Sequence, residues 1–310
     1  MKAIFYDKFG GPEVLQYGEQ PDPKIGPDSV LVDVRASSVN PADWKIMAGY
    51  LDGALNTYFP AIPGWDVAGV VVEPGPSVTE FQAGDEVIGY ARMDTVGLGT
   101  FAEKVAAPVR ALARKPRNVS WAEAGTMPLT GLTAYQSLRA VGVGEGDVVL
   151  LHNGAGGVGT YAIQIAKAWG ARVIATASEK NHDFLRSLGA EPLSYGEGLS
   201  GRLTDVVPEG IDAIVDFVGG EDWVATVAQL KVPGRIASVA DVEVKDRGGR
   251  YIFVRPNPAD LLALTELVEA ERVKPVLAGV FPLERAAEAF RSNIDGHAPG
   301  KIAITVGGAS

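Results

Sequence analysis

Gly154-Ala155-Gly156-Gly157-Val158-Gly159 follows the apolar run Val148 to His152 and precedes a segment with helical spacing. G-x-G-x-x-G set between a strand and a helix is the signature of a dinucleotide-binding turn. Its glycines permit a tight reversal, let backbone N–H groups approach a pyrophosphate, and allow the helix to pack closely on the strand. The helix N-terminus favours the anion. Beyond the turn, Ala162, Ile165, Ala166 and Trp169 fall on one helical face, and Gly170 is a natural stop. The order strand, turn, helix distinguishes this stretch from other glycine-rich turns.

Moving toward the C-terminus, apolar runs alternate with helix-period segments, as expected of a parallel sheet covered on both faces. Strands are expected at Val148 to His152, Arg172 to Ala177, Ile211 to Val218, Arg235 to Val239 and Tyr251 to Val254. Pro258 opens an amphipathic stretch through Leu261 to Val268, and the tail Lys301 to Val306 reads as a return to the first domain. Toward the N-terminus, Met1 to about Pro116 is a series of short β-rich runs broken by Gly and Pro, among them Val30 to Val34 and Val70 to Val72. That segment reads as a mostly antiparallel barrel or sandwich. Ser120-Trp121-Ala122-Glu123 has the spacing of a capping box and predicts a helix start. The fold class is α/β: a mostly-β domain from residues 1–119 and 258–310, and a doubly wound parallel-sheet (Rossmann) domain from residues 120–257.

Composition narrows the function. With 310 residues, 46% hydrophobic and 21% charged, the chain can bury two cores and stay soluble. A net charge of -10 and a pI near 4.9 argue against nucleic acid as a partner. The N-terminal stretch reaches Asp7 before a signal-peptide core could form, and no apolar run is long enough to cross a bilayer, so no membrane partner and a cytoplasmic location are expected. Cysteine is absent and only His152, His182 and His297 are available, which leaves no disulfide, no thiolate and a poor supply of metal ligands.

The end of the second strand selects the cofactor. An NAD site usually places a carboxylate there to hold the ribose hydroxyls. Here the strand runs into Ala177-Ser178, followed by Glu179 and Lys180. A hydroxyl and a cation suit the 2′-phosphate of NADPH, whereas Glu179 facing the ribose would reverse the preference.

Several further motifs occur in a fixed order: Ser38-Val39-Asn40-Pro41-Ala42-Asp43-Trp44-Lys45, Ile62-Pro63-Gly64-Trp65-Asp66-Val67-Ala68-Gly69, Gly84-Asp85-Glu86-Val87, and Leu129-Thr130-Gly131-Leu132-Thr133-Ala134-Tyr135. With the glycine turn they resemble the medium-chain dehydrogenase/reductase superfamily over nearly the whole chain. The likeness is greatest to its zinc-independent quinone oxidoreductase (zeta-crystallin-like) and alkenal/enone oxidoreductase branch. The resemblance implies a GroES-like catalytic domain built from both chain ends around an inserted Rossmann domain, and a homodimer. In the zinc alcohol dehydrogenases of that superfamily a cysteine stands at the position of Asn40, and a histidine and a glutamate at those of Trp65 and Asp66. Tryptophan cannot ligate zinc and asparagine is a poor ligand, so no metal is expected.

Without a Lewis acid, the chemistry implied is hydride transfer from NADPH to an acceptor already activated by conjugation, a quinone or an α,β-unsaturated carbonyl. Asn40 and Lys45 are candidate donors near the substrate carbonyl or nicotinamide ribose, with Tyr50 and Thr130 as further catalytic candidates and Thr133 nearby in sequence. For the cofactor the candidates are Gly154, Ala155, Gly156, Gly157, Val158, Gly159, Ser178, Lys180, Tyr195, Phe217, Val218, Phe253, Val254 and Asn257. His152 is expected to be structural. Reduction of an enoyl thioester, or NADPH binding by a sensor or structural protein with little turnover, would use a similar site.

Overall fold

A computed structural model describes residues 1–296 and 298–308; His297 lies outside the described residues. The chain divides into two compact units, the first comprising Met1–Leu129, Pro256–Thr265 and Leu277–Ser310, the second Thr130–Arg255 and Glu266–Val276. Relative to boundaries at 120 and 258, the capped helix Trp121–Gly125 goes with the first unit and residues 266–276 with the second.

The first unit is organised on the long strand Ser29–Val39. Val30, Val32, Val34 and Ala36 are buried at every second position, after which Ser37 to Val39 are buried without a break. Strand alternation puts one face on a core, and the uninterrupted run marks where both faces are covered. The sheet order is Leu277–Pro282, Lys301–Thr305, Ser29–Val39, Asp66–Pro74, Glu86–Tyr90 and Leu112–Arg114, with Lys104–Pro108 also paired to Ser29–Val39. All these pairs are antiparallel except Leu277–Pro282 with Lys301–Thr305. The tail therefore does return to the first unit, with Ile302 opposite Val39 and Thr305 opposite Ala36. Ser120 caps the next helix as its spacing predicts: its N–H donates to the Glu123 carboxylate at 2.8 Å, and its hydroxyl accepts from the Glu123 N–H at 3.3 Å.

The second unit holds six parallel strands in the order Glu191–Leu193, Arg172–Thr176, Val148–His152, Ala213–Asp216, Ile236–Ser238, Arg250–Tyr251. Numbered within the unit this is 3-2-1-4-5-6, the doubly wound order in which ligands bind where the winding reverses, beyond the carboxyl end of the first strand. The glycine turn lies there. Leu150, Ile174, Ile214 and Ile236 carry the core through the sheet, with Leu203 and Trp223 packed on it.

Four expected strands are shorter than the apolar runs that announced them; Arg172 to Ala177 and Arg235 to Val239 lose only end residues, giving Arg172–Thr176 and Ile236–Ser238. Ile211 to Val218 contracts to Ala213–Asp216 because the Asp216 carboxylate accepts from the N–H groups of Val218 and Gly219, at 3.1 and 3.0 Å, and turns the chain. Tyr251 to Val254 is corrected to Arg250–Tyr251. This is an edge strand with one neighbour, and after Ile252 donates to Ser238 the chain leaves the sheet.

A Cβ on Gly159 would lie 2.3 Å from the backbone oxygen of Asn153 and 2.7 Å from Gly154 C, neither of which can rotate away. Gly159→Ala should lower stability by roughly 1–3 kcal/mol, the usual cost of overpacking. Denaturant titration measures this, and an unchanged midpoint would contradict the tight packing of helix on turn.

Candidate functional site

The turn is built by its neighbours. Asn153 adopts a left-handed backbone (φ 63°), the Gly154 N–H donates to Thr176 O at 2.8 Å, and the Asn153 N–H donates to Thr176 Oγ1 at 3.1 Å. These bonds tie the turn to the second strand. A Cβ at Gly154 would meet the Ala175 methyl at 2.7 Å, and one at Gly156 would meet the Asn153 side-chain amide at 2.8 Å. Gly156 is the N-cap of the helix Gly157–Ala168, whose first-turn N–H groups have no acceptor inside the helix. A side-chain-free concavity at the positive end of a twelve-residue helix fits a pyrophosphate. Ala155 is buried and Val158 half-buried beside it.

The other cofactor candidates of this unit follow strand ends in the same direction. Ser178 comes after the second strand and begins the turn Glu179–Asn181, on which Lys180 and Glu179 are both exposed. Tyr195 follows the third strand and is 57% exposed; Phe217 and Val218 follow the fourth, Val218 56% exposed. Phe253, 51% exposed, and the half-buried Val254 follow the sixth. In a parallel sheet these ends form one edge, so topology gathers them around the glycine turn. Asn257 does something else: its side-chain oxygen accepts from the N–H groups of Ala259 and Asp260, at 3.0 and 3.3 Å, and caps the helix Pro258–Glu269. Thr130 and Thr133 are buried on the helix Pro128–Ala140. His152 is fully buried, with Nε2 3.3 Å from Thr226 Oγ1, and burial pushes its pKa down, which keeps the ring neutral in a structural role.

The first unit contains a buried polar centre. Lys301 is 4% exposed, and its ammonium donates to Asn40 Oδ1 and Val39 O, both at 2.6 Å. The Asn40 amide nitrogen donates to Asp66 Oδ2 at 2.7 Å, as does the Ser38 hydroxyl at 2.6 Å, while the Leu129 N–H donates to Asp66 Oδ1 at 2.6 Å. Asp43 joins through Oδ2, which accepts the Asn40 N–H at 2.7 Å and stabilises the start of the helix Pro41–Met47. Burial pushes both carboxyls up, Asp43 to about 7, and pushes Lys301 down to about 8, with the opposite charges of Lys301 and Asp66 working against burial. Two carboxyls share one ammonium, so one of them is neutral. Asp66 collects three donors and is the one that keeps its charge.

This centre corrects the reading of Asn40 as a group presented to substrate: it is 1% exposed and both polar atoms of its amide are used inside the protein. Lys45 is exposed, its ammonium 5.5 Å from the ring centroid of its neighbour Trp44, and Tyr50 is 72% exposed. The centre also decides the fit of zinc. Asn40 and Asp66 are committed to each other, Trp65 has no lone pair to offer, and among the described residues no group of three or more His, Cys, Asp or Glu could hold a metal. The donor set does not fit zinc.

Beside the polar centre is a cavity of about 370 Å³ in the first unit, lined by Tyr6, Asp43, Ile46, Phe59, Trp65 and Met93 among others. Tyr6 and Phe59 meet edge to face at 5.7 Å, and Phe9 meets Phe59 in the same way at 5.2 Å. Tyr58, Phe59, Met93 and Leu98 also line it and are 62, 42, 42 and 71% exposed, an apolar margin open to solvent. Asn40, Lys45 and Tyr50 do not line it. Sequence reading passed over Lys301, Asp43 and Tyr6. The spacing Asn40-Pro41-Ala42-Asp43 carried the one available signal, that of a helix cap with a carboxylate in its first turn.

A doubly wound sheet with an anion cradle at its switch point, joined in one chain to a mostly antiparallel unit with an apolar cavity, defines a two-domain nucleotide-dependent oxidoreductase. Comparison with known proteins places it further. Residues 26–117 match the alcohol dehydrogenase GroES-like domain, and residues 188–304 match a domain described as zinc-binding dehydrogenase. The chloroplastic NADPH-dependent alkenal/one oxidoreductase of Arabidopsis thaliana is 36% identical, over 98% of this chain and 79% of that protein. The quinone oxidoreductase of Coxiella burnetii superposes with a TM-score of 0.86 at 34% identity, over 99% of both chains. A structure described as an NAD-dependent alcohol dehydrogenase gives 0.88 at 32%, over 99% of this chain and all of the other. The chain belongs to the medium-chain dehydrogenase/reductase superfamily, in its quinone oxidoreductase and alkenal/one oxidoreductase branch.

Two outcomes test the polar centre. Lys301→Met leaves Asp66 charged and buried without its counter-ion and should cost about 3–5 kcal/mol; a loss below about 1 kcal/mol by denaturant titration would contradict the charge assignment. For Asp43 the folded value lies above the ordinary 3.8, so between the two the native state holds the extra proton and stability falls as pH rises. Wild-type Tm should therefore drop relative to that of Asp43→Asn on going from pH 5 to pH 7.5, and parallel curves would refute the raised value.

Proposed function

We propose that the chain is an NADPH-dependent, zinc-independent reductase that transfers hydride to a quinone or an α,β-unsaturated carbonyl. The observation that carries this reading is the side-chain-free cradle at Gly154 to Gly159, at the switch point of the 3-2-1-4-5-6 sheet. The names of the relatives point the same way, one being NADPH-dependent and acting on alkenals and enones, another a quinone oxidoreductase.

In this reading the second unit holds the nucleotide. The N–H groups of Gly157 and Val158 receive the pyrophosphate, Ser178 and Lys180 receive the 2′-phosphate, and Tyr195, Phe217, Val218, Phe253 and Val254 cover the apolar faces of the bound molecule. When bound, NADPH supplies the hydride and its electron pair. The first unit takes the acceptor in its aromatic-lined cavity, whose volume falls in the range of small-molecule pockets. Conjugation already polarises the acceptor carbon, so the protein's task is to seat the ring, exclude water and offer donors where negative charge develops. Lys45, exposed in the last turn of the helix Pro41–Met47, and Tyr50, on the turn after it, remain proposed outer contacts, and Thr130 a proposed contact at the nicotinamide. Alcohol oxidation would need an oxygen polarised by a cation, and the Asn40, Trp65, Asp66 set is not one that suits zinc.

A homodimer and a cytoplasmic location complete the proposal. No helix among the described residues is long and apolar enough to cross a membrane, while the plant relative is chloroplastic.

The pure protein should oxidise NADPH with 9,10-phenanthrenequinone or a short enone, more efficiently than NADH and without sensitivity to chelators. Lys180→Ala should raise KM for NADPH roughly tenfold or more, the worth of a charge-assisted bond to phosphate, with little effect on NADH. Equal effects on both cofactors would refute the 2′-phosphate assignment. Turnover with a saturated alcohol that a chelator abolishes would refute the whole reading.

A further inference from the structure

We propose that Asp43 is the proton donor of the reaction, a neutral carboxylic acid in the wall of the aromatic cavity that protonates the oxygen of the reduced acceptor. This rests on the quinone or enone reading above and adds the residue that completes the chemistry.

Three observations converge. Asp43 lines the cavity and is 3% exposed, so it is among the few ionisable groups at an otherwise apolar wall. Its two oxygens differ: Oδ2 accepts the Asn40 N–H at 2.7 Å, and Oδ1 is left out of that bond. The backbone bond holds the carboxyl in place while leaving one oxygen to carry a proton. Charge balance supplies the proton. The groups facing Asp43 are Asp66, Lys301, Tyr6, Tyr90 and both the backbone N–H and the side-chain amide of Asn40. The single ammonium is matched by Asp66, which receives the Ser38, Asn40 and Leu129 donors, so the second buried carboxyl is stable as the acid. Burial holds its pKa near 7, suited to donating near neutral pH. Tyr6 is wholly buried in the same wall, its hydroxyl has no partner among the described residues, and burial together with Asp43 raises its pKa to about 12, so it stays protonated and serves as a second donor to the same oxygen.

The step balances. Bound NADPH would supply a hydride, one hydrogen with two electrons, so the reduced acceptor would carry negative charge on a carbonyl oxygen, as hydroquinone monoanion or enolate. The Asp43 O–H bond breaks and a new O–H bond forms on that oxygen, giving a neutral hydroquinone or an enol that becomes the saturated ketone. Asp43 is left as carboxylate, and water at the open margin of the cavity returns its proton after product leaves. Asp43 is thus both the hydrogen-bond donor to the bound carbonyl and the acid of the reaction.

The test is steady-state reduction of 9,10-phenanthrenequinone by NADPH from pH 5.5 to 9 for wild type, Asp43→Asn and Tyr6→Phe, with the NADPH Kd from fluorescence and Tm measured alongside. Asparagine keeps an oxygen for the Asn40 N–H, so the helix start survives in that variant. Wild-type kcat should fall as pH rises through about 7, the value that burial gives Asp43. In Asp43→Asn, kcat should drop about a hundredfold, the low end of general-acid contributions, and lose that pH dependence, with NADPH Kd unchanged. Tyr6→Phe should raise KM for the quinone severalfold and keep the wild-type pH profile. If quinone is reduced but Asp43→Asn keeps the wild-type kcat and profile, or weakens NADPH binding in parallel with kcat, this proposal falls and the reductase reading stands. If wild type binds NADPH and reduces no acceptor, both fall. Should Asp43→Asn fail to fold, the wild-type profile decides, and a flat kcat between pH 6 and 8 overturns the proposal.

Discussion

The first unit depends on one ammonium. Lys301 sits in the interior with its charge intact only because Asn40 and Val39 accept its protons and Asp66 balances it through the Asn40 amide. Each member of the chain explains the next. Lys301 orients the Asn40 oxygen, which forces the amide nitrogen toward Asp66, and the backbone of Asn40 then fixes Asp43 at the cavity wall. An ion pair of this kind is poor evidence for stability, since its desolvation offsets much of the attraction. It is better evidence for placement: strand Lys301–Thr305, strand Asp66–Pro74 and the helix at Pro41 are tied together by hydrogen bonds through Asn40.

The second unit depends on space rather than charge. Its turn is held to the second strand by Thr176, and its glycines are required because neighbouring backbone or side-chain atoms occupy the positions of their missing Cβ atoms. Close packing and exposed amide hydrogens are two consequences of the same absence of side chains. The two units therefore solve different problems. One leaves backbone uncovered at a helix N-terminus, and the other lines an apolar cavity with a buried carboxyl.

Much of this was readable in the sequence where cause and effect are neighbours. Val148 to His152, the glycine turn and the helix after it are local, and they appear where the pattern places them. The capping box at Ser120 is equally local. Strand ends were less legible because a side chain decides them, as Asp216 does by capturing the N–H groups that would have extended its strand. The polar centre was hidden for another reason. A lysine opening an apolar strand looks the same whether it faces water or a carboxylate, and its partners lie near the other end of the chain. Asn40 and Asn257 show the limit most plainly, since an asparagine fit to touch a ligand is equally fit to cap a helix, and here both asparagines are absorbed by the protein.

The distance between those partners has an implication for biosynthesis. Lys301 emerges from the ribosome 261 residues after Asn40, by which time the whole nucleotide-binding unit has been translated. Until then the nascent N-terminal segment has no positive charge to balance Asp66, so burying that carboxylate is unfavourable. The nucleotide-binding half should acquire structure first on the ribosome, leaving the N-terminal half open and dependent on chaperones until the closing strand arrives.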